Sequence, residues 1–554
     1  MGGSPLRSYW DIDVELEALV DPQDFDGPDS PLPLLDVDDD MNRQTLRGNG
    51  RAINIMSSTP KWMRTAQPFG RTVCQKIVAV VQPRLTFGYI AWALVGLYVV
   101  YCILARSPLL ASKLPRYSGP YEVGAIDVEV PVRTPRNISE HVLAGDGKPA
   151  FKLETVLFTL YYPAAKGSRG TRHHYWIPRP IGITAEGYAR AAHLNNFISR
   201  PVFTFFLWAI AGSIKIPARA DVPLLSPPDA AKDREGFPVV VLSHGQASSR
   251  TGYTHYCGEL ASLGAVVAAI EHRDGSSPGS VVTTKDDGKQ RTVMYLNRKD
   301  LRGGREMKSD DFKFEQLAFR QAEIEETVAV LQGLHAGKGS AVFASNARKE
   351  GRGLAEWGGR LNLSQTVIAG HSFGATGALQ ALRGATSAKN PAVGGIILDP
   401  GKSSGMLNTD IDVPILVIHS DSWSKKITPF FGRPHFDTVR DMARDVLGRV
   451  GSSWFVTSLR TSHPSVTDAP LIEPLLLRWT TGATIDVHRG LKEYVRVSRE
   501  FMDFLRDGSR GGVLSEDVTH EEYGKDIMTD EQRRRMPKET TQYWQIHVAP
   551  PREE

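Results

Sequence analysis

Residues 366–382, TVIAGHSFGATGALQAL, constrain this chain more than any other stretch. Thr366-Val367-Ile368-Ala369 reads as a short buried strand, Gly370-His371-Ser372-Phe373-Gly374 as a tight turn, and the Ala- and Leu-rich run that follows as a helix. A serine on a turn between strand and helix is held in a strained backbone, with its hydroxyl clear of its neighbours, and flanking glycines let the two elements pass close together. The helix N-terminus adds free N–H groups and the positive end of its dipole where an oxyanion would form. Ser372 is therefore the candidate nucleophile.

The pattern G-x-S-x-G is weak evidence by itself, since ordinary residue frequencies supply about 0.3 copies in a chain this long. Gly275-Ser276-Ser277-Pro278-Gly279 and Gly401-Lys402-Ser403-Ser404-Gly405 fit it too, yet neither opens a helix. Only Ser372 has the strand before it and the helix after it that define the nucleophile elbow of α/β-hydrolases. The expected fold class is α/β, an α/β-hydrolase fold with a mostly parallel sheet and helices on both faces, preceded by one N-terminal transmembrane helix.

The chain has 554 residues, enough for one large domain with extensions. A net charge of +4 is small for this length and gives no reason to expect nucleic acid as a ligand. Cys74, Cys102 and Cys257 do not make a disulfide scaffold. Residues 1–60 read as a disordered acidic tail, because Asp11 to Asp40 contains no Lys or Arg and is broken by Pro28, Pro31 and Pro33. A basic juxtamembrane segment, 61–84, follows. Leu85 to Leu104 is an uncharged run bracketed by Arg84 and Arg106, with Tyr89, Trp92, Tyr98 and Tyr101 as interfacial aromatics. At 1.5 Å per residue it spans about 30 Å, one bilayer core. Arg64, Arg71, Lys76 and Arg84 before it, against Arg106, Lys113 and Arg116 after it, favour a cytosolic N-terminus. The catalytic part would then be lumenal or extracellular, where the acceptor pattern Asn137-Ile138-Ser139 becomes usable.

The globular pattern runs from 117 to 507, and a polar tail, 508–554, wraps or frays. Pro238 to Leu242 is a buried parallel strand opening into Ser243-His244-Gly245-Gln246, and Gly264 to Glu271 is the next. In this fold the oxyanion donors are a backbone N–H from the first loop and one from the residue after the nucleophile, here Gln246 and Phe373. Phe314 to Leu334 reads as a helix with Leu317, Ile324, Val328 and Leu331 on its core face and Glu315, Glu323 and Glu326 off it. Val202 to Ile214 is an uncharged aromatic run, too short to span a bilayer, that suits a core helix or one dipping into a lipid surface. The strands at Gly395–Leu398, Val413–Ser420 and Trp454–Leu459 lead to Asp399, Asp421 and His463. Chain order in this fold is Ser, acid, His, so His463 is the candidate base, and position alone leaves Asp399 and Asp421 open as its orienting acid.

Several blocks, in order, resemble the plasma/type II platelet-activating-factor acetylhydrolase family. They are Gly119-Pro120-Tyr121-Glu122-Val123-Gly124, Leu160-Tyr161-Tyr162-Pro163, Tyr175-Trp176-Ile177-Pro178, Leu242-Ser243-His244-Gly245 with Arg250-Thr251, Val267 to Asp274, and Gly370 to Thr376. The resemblance covers about Tyr117 to Leu505. It implies Asp399 rather than Asp421 as the acid, and supports His463, Gln246 and Phe373 in the roles above. It also implies a carboxylic ester hydrolase that cleaves the sn-2 ester of phospholipids with short or oxidised chains, as a 1-alkyl-2-acetylglycerophosphocholine esterase does, calcium-independently and with no metal or other cofactor. The partner would be phospholipid at a lipid surface, met through an apolar helix near Val202 to Ile214. The acidic tail and the Leu85–Leu104 span are additions to the family pattern. Pro400 to Gly405 replaces an expected aromatic, apolar segment that helps shape the acyl pocket. Two other readings are a general carboxylesterase or lipase of the same fold, and a non-catalytic, membrane-anchored interaction protein, although the latter usually lacks a triad member and none is missing here.

Overall fold

Ten strands pair into one large sheet in the computed structural model, which describes residues 86–105, 107–168, 170, 172–226, 236–284, 290–303 and 307–552. The expected acidic tail and basic segment lie outside the described residues, as do Leu85 and Arg106. The strands are β1 (Glu122–Asn137), β2 (Lys152–Ala164), β3 (Arg219–Ala220), β4 (Phe237–Ser243), β5 (Val266–Ile270), β6 (Leu361–His371), β7 (Ala392–Leu398), β8 (Ile415–Ser420), β9 (Ser453–Ser458) and β10 (Trp544–Val548). Their spatial order is β10-β9-β8-β7-β6-β4-β5-β2-β1-β3. From β5 across to β9 every pairing is parallel. Strand β2 joins β5, and β1 joins β2, in the antiparallel sense.

The parallel strands are almost wholly apolar because both of their faces are covered. Alternate residues feed two separate cores, Val239 and Val241 on one face of β4 against Val240 and Leu242 on the other, and likewise Ile415 and Val417 against Leu416 and Ile418 in β8. Three helices cover the first face: α5 (Ser309–His335), α6 (Phe373–Ala381) and α7 (His435–Val450). On the second lie α2 (Ile181–Ala191), α3 (Ser199–Ala211), α4 (Thr254–Ser262) and α8 (Val487–Asp507). The chain builds β4 and β5 outward in one direction, then crosses to β6 and continues through β7, β8 and β9 in the other. That reversal leaves a crevice beyond the carboxyl ends of β4 and β6, where the loops carrying Gln246 and Ser372 emerge.

Two expectations change. Glu323 and Glu326 do not sit off the core face of α5, because both are buried. Glu323 accepts hydrogen bonds from His272 Nδ1 (2.7 Å) and the Arg273 N–H (3.1 Å), so a polar layer lies inside the helix–sheet interface. The C-terminal segment wraps and re-enters the sheet. Its stretch Trp544–Val548 is buried and pairs antiparallel with β9, beyond the expected domain limit at 507.

The helix α1 (Phe87–Leu104) belongs to a different compact unit from residues 107 onward. The Thr86 side chain accepts the Tyr89 N–H and so caps its start. Among the described residues it is the one helix long and apolar enough to cross a membrane.

Candidate active site

Ser372 sits between the last residue of β6 and the first of α6 with φ 56° and ψ −125°, a left-handed conformation that costs a non-glycine residue about 1–3 kcal/mol. Its neighbours enforce the turn. A Cβ on Gly370 would lie 2.1 Å from the Gly374 carbonyl oxygen, and one on Gly374 would lie 2.1 Å from that of Ser243, so glycine is obligatory at both places. The Ser372 N–H donates to Leu398 O at 2.9 Å, tying the elbow to the end of β7.

Gly245 packs on Ser372 so closely that a Cβ there would sit 3.1 Å from Ser372 Cβ. The next residue, Gln246, is buried and its side chain is held at both ends: its Nε2–H donates to Tyr295 Oη (2.6 Å) and its Oε1 accepts from Lys313 Nζ (2.8 Å). The Lys313 ammonium also lies 4.6 Å from the centre of the Phe373 ring, so one buried cation touches both candidate oxyanion-donor residues. Behind this loop Arg320, paired with Asp274 at 2.8 Å, donates to the His244 carbonyl at 2.6 Å and fixes the peptide that leads into Gly245.

His463 follows β9 and opens a short 3-10 turn in which the Ser462 and Ser465 side chains cap each other's backbone. Its Nδ1 lies 3.0 Å from Asp399 Oδ2. A carboxylate can only accept there, so Nδ1 carries the proton and Nε2 is bare. That Nε2 is buried with no hydrogen-bond partner among the described residues. Asp399 is itself strained, at φ 46°, and is held by the Ser420 N–H on Oδ1 (2.6 Å) and the Ser420 hydroxyl on Oδ2 (2.7 Å). Asp421 is engaged elsewhere, by the Arg460 N–H (3.1 Å) and the Tyr523 hydroxyl (2.6 Å). Of the two carboxylates left open by position, Asp399 is the one the structure brings to the imidazole.

Four further residues lock this array, and the sequence does not single them out. The Trp423 ring stacks on His463 at 4.0 Å and 11°. Lys402 Nζ lies 4.5 Å from that ring's centre and donates to the Trp423 and Lys426 carbonyls, both at 2.9 Å. On the other side, His371 Nε2 meets the His463 carbonyl at 3.0 Å, which makes it the protonated nitrogen. Its Nδ1 then accepts the Tyr253 hydroxyl (2.8 Å), and Tyr253 Oη accepts the Gly245 N–H (3.0 Å). His371 of the elbow motif thus joins the loop of His463 to the loop of Gly245 and Gln246. Only Tyr253's place eight residues after Gly245 and His371's place beside Ser372 hint at this. Burial, with Lys402 adding to it, pushes His463 down to about 3, while burial pushes Asp399 up to about 6 against the pull of His371, Ser420 and Lys402.

Two clusters bring together ligand types that could hold a metal: His371, Asp399 and His463, and Asp127, His174 and Glu350. In the first, both nitrogens of His371 and the His463–Asp399 contact are already committed to the bonds above. In the second, Arg250 pairs with Asp127 at 2.9 Å and Arg172 with Glu350, so cations of the chain already neutralise the carboxylates.

A family model described as platelet-activating factor acetylhydrolase, isoform II, matches residues 109–505. The chain belongs to that family. A platelet-activating factor acetylhydrolase from Cavia porcellus is 25% identical over 331 residues, 57% of this chain and 64% of the relative. One from Canis lupus familiaris is 24% identical over 292 residues, 51% of this chain and 55% of the relative. The chain therefore spans less than two thirds of the length of either. A solved ferulic acid esterase from Streptomyces cinnamoneus is 15% identical, with a TM-score of 0.45 over 74% of this chain and 97% of that one.

In this family member Ser372 opens onto a cavity of about 350 Å³ walled by Tyr188, Phe203, Phe206, Leu207, Ile210 and Ile472 among others. Residues 400–405 do not line it, contrary to the expectation that this segment shapes an acyl pocket. Lys402 turns instead into the protein behind Trp423. α3 contributes Phe203, Phe206, Leu207, Ile210 and Ala211 to the cavity, and on the same helix Phe205 is 59% and Trp208 53% exposed. The run Val202 to Ile214 thus combines cavity-lining, buried and exposed apolar residues, and is not a wholly buried core helix.

Proposed function

We propose that this chain is a serine esterase that hydrolyses the sn-2 acyl ester of phospholipids with short or oxidised chains, without calcium. The observation that carries the reading is the His463–Asp399 pair, with the His463 ring 4.4 Å from that of His371, the residue before Ser372, beside a cavity that Ser372 lines and to which a helix with exposed aromatic residues contributes. In the mechanism, His463 Nε2 takes the Ser372 proton as the serine oxygen attacks the ester carbonyl. The Gln246 and Phe373 N–H groups hold the oxyanion, each worth about 2.7–4 kcal/mol in the transition state. His463 then protonates the departing lysophospholipid oxygen, and water activated by the same nitrogen releases the acyl group. Asp399 keeps the Nδ1–H tautomer and stabilises the imidazolium as it forms.

Family membership supports the phospholipid, and the exposed aromatics of α3 support a lipid surface as the place of work. Leu475 and Trp479, exposed on the helix Pro474–Thr481 just beyond the cavity residue Glu473, extend the same apolar character. We read α1 as a single-pass anchor, with the N-terminus cytosolic and the catalytic part lumenal or extracellular. Asn137, exposed at the end of β1, would be a glycan acceptor on that side. A glycan-free Asn137 in a eukaryotic membrane preparation, together with protection of the C-terminal part from external protease, would reverse the orientation.

The test of the activity is hydrolysis of a short-chain phosphatidylcholine by wild type and Ser372→Ala, in EDTA. We expect a loss of at least about 10⁴-fold in the variant, and labelling of Ser372 by an organophosphate. Retained activity, or labelling elsewhere, refutes the assignment. Equal or faster turnover of a short-chain glyceride without phosphate would favour a general carboxylesterase.

A further inference from the structure

Glu473 is the one Asp, Glu, Lys or Arg among the residues lining the cavity on Ser372. It is half-buried, and burial pushes its carboxyl up from the ordinary range. Among the described residues that carboxylate takes part in no hydrogen bond, ion pair or cap contact. It occupies the N-cap position of Pro474–Thr481, where the helix dipole favours the anion, but its side chain does not accept from the helix N–H groups. A partly desolvated anion with no partner, in a cavity whose lining of aromatic, aliphatic and uncharged polar residues offers it no cation, is favoured by an occupant that brings one. The complementary occupant is a cation that tolerates an apolar cage. An alkylated ammonium fits both demands, because aromatic faces attract it and it needs no dense shell of hydrogen bonds.

We infer that Glu473, with aromatic residues lining the same cavity, is the subsite for a cationic headgroup, an ammonium or quaternary ammonium carried on the alcohol side of the ester. This rests on the esterase reading above, and names which lipids that site prefers: zwitterionic ones with a terminal cation over anionic ones that lack it. Because Glu473 sits between the buried cavity residue Ile472 and the exposed Leu475, the headgroup would stand at the boundary of cavity and surface while the ester reaches inward to Ser372.

The experiment uses the full chain and two readouts. In the first, kcat/KM is measured on short-chain phosphatidylcholine and phosphatidylglycerol with identical acyl groups, both below their micelle concentration. Glu473→Gln should cut the ratio of the two by about tenfold, and Glu473→Asp, which keeps the charge, should hold it within about threefold. A ratio that Glu473→Gln leaves unchanged overturns the inference. In the second, binding of dodecylphosphocholine and of dodecyl phosphate is followed by fluorescence of Trp176, which lines the cavity. Glu473→Gln should weaken the phosphocholine by about tenfold and tighten or spare the phosphate. Parallel changes in both ligands overturn the inference. This second readout needs no turnover, so it separates failure of the headgroup subsite from failure of the esterase reading.

Discussion

Replacing Lys402 by Met should move the acid limb of the pH profile upward by about one unit. Lys402 is a buried ammonium whose charge reaches the base through one aromatic ring. It lies 4.5 Å from the Trp423 ring centre, and that ring stacks 4.0 Å from the imidazole's, so the charge is within about 8.5 Å of the base. At an effective dielectric constant of about 20, a unit charge at that distance opposes an imidazolium by about 2 kcal/mol. That corresponds to about 1.4 pH units, which water entering the emptied site would reduce to about one. The sign follows from charge: a cation disfavours protonation of His463 and of Asp399 alike, so its removal raises the affinity of the pair for a proton. Burial pushes Asp399 up to about 6 and His463 down to about 3, so the acid limb of kcat/KM is expected near pH 6. The assay is kcat/KM against pH on a soluble short-chain phosphatidylcholine, with Lys402→Arg as the charge-conserving control. A Met variant whose limb coincides with that of wild type, while still folded and active, refutes this electrostatic account of Lys402.

Other outcomes follow from the same geometry. Asp399→Asn should lower kcat by about 10³–10⁴-fold through loss of the Nδ1–H tautomer, while Asp421→Asn should cost less than about tenfold, since Asp421 bonds to Arg460 and Tyr523 instead. Gly374→Ala should destabilise the fold by at least about 3 kcal/mol in urea unfolding, because its Cβ would meet backbone at 2.1 Å and not a side chain that can turn away. His244, His371, His435, His463 and His547 are all pushed down to about 3, chiefly by burial. The unfolded chain therefore binds protons below about pH 6.5 that the folded one refuses, and each such histidine removes up to about 1.4 kcal/mol of stability per pH unit as pH falls. The urea midpoint should be flat from pH 8 to 7 and fall steeply from pH 6 to 5, and a flat profile throughout would contradict this burial.

The parallel strands are legible in the sequence because doubly covered strands are continuous apolar runs, and VVVL, VVAAI and ILVI admit few other readings. The elbow is legible because strand, glycine pair and helix must coincide for Ser372 to stand as it does. Chain order narrows the partners to a few residues, but position cannot separate Asp399 from Asp421, since both close a strand on the same edge. What separates them is the Ser420 N–H and hydroxyl across the gap, a long-range contact with no local signature. Helical periodicity misplaces Glu323 for a related reason. It assumes that charge faces water, whereas His272 and Arg273 supply a buried partner from a distant loop. Lys402 is hidden in a Gly- and Ser-rich segment that reads as a loop, and Trp423 in a five-residue helix too short for any periodicity.

The bonds from Gly245 through Tyr253 and His371 to the His463 carbonyl have a consequence for proton order. One end is a backbone N–H, which can only give, and the other a backbone C=O, which can only receive. Between such fixed ends the phenol and the imidazole have a single arrangement of hydrogens that leaves no link broken. The line is one-way, and no reversed form competes with it. With no isoenergetic tautomer available, these bonds tie the loops that carry Gly245 and His463 to His371, beside Ser372, in one hydrogen-bonding arrangement.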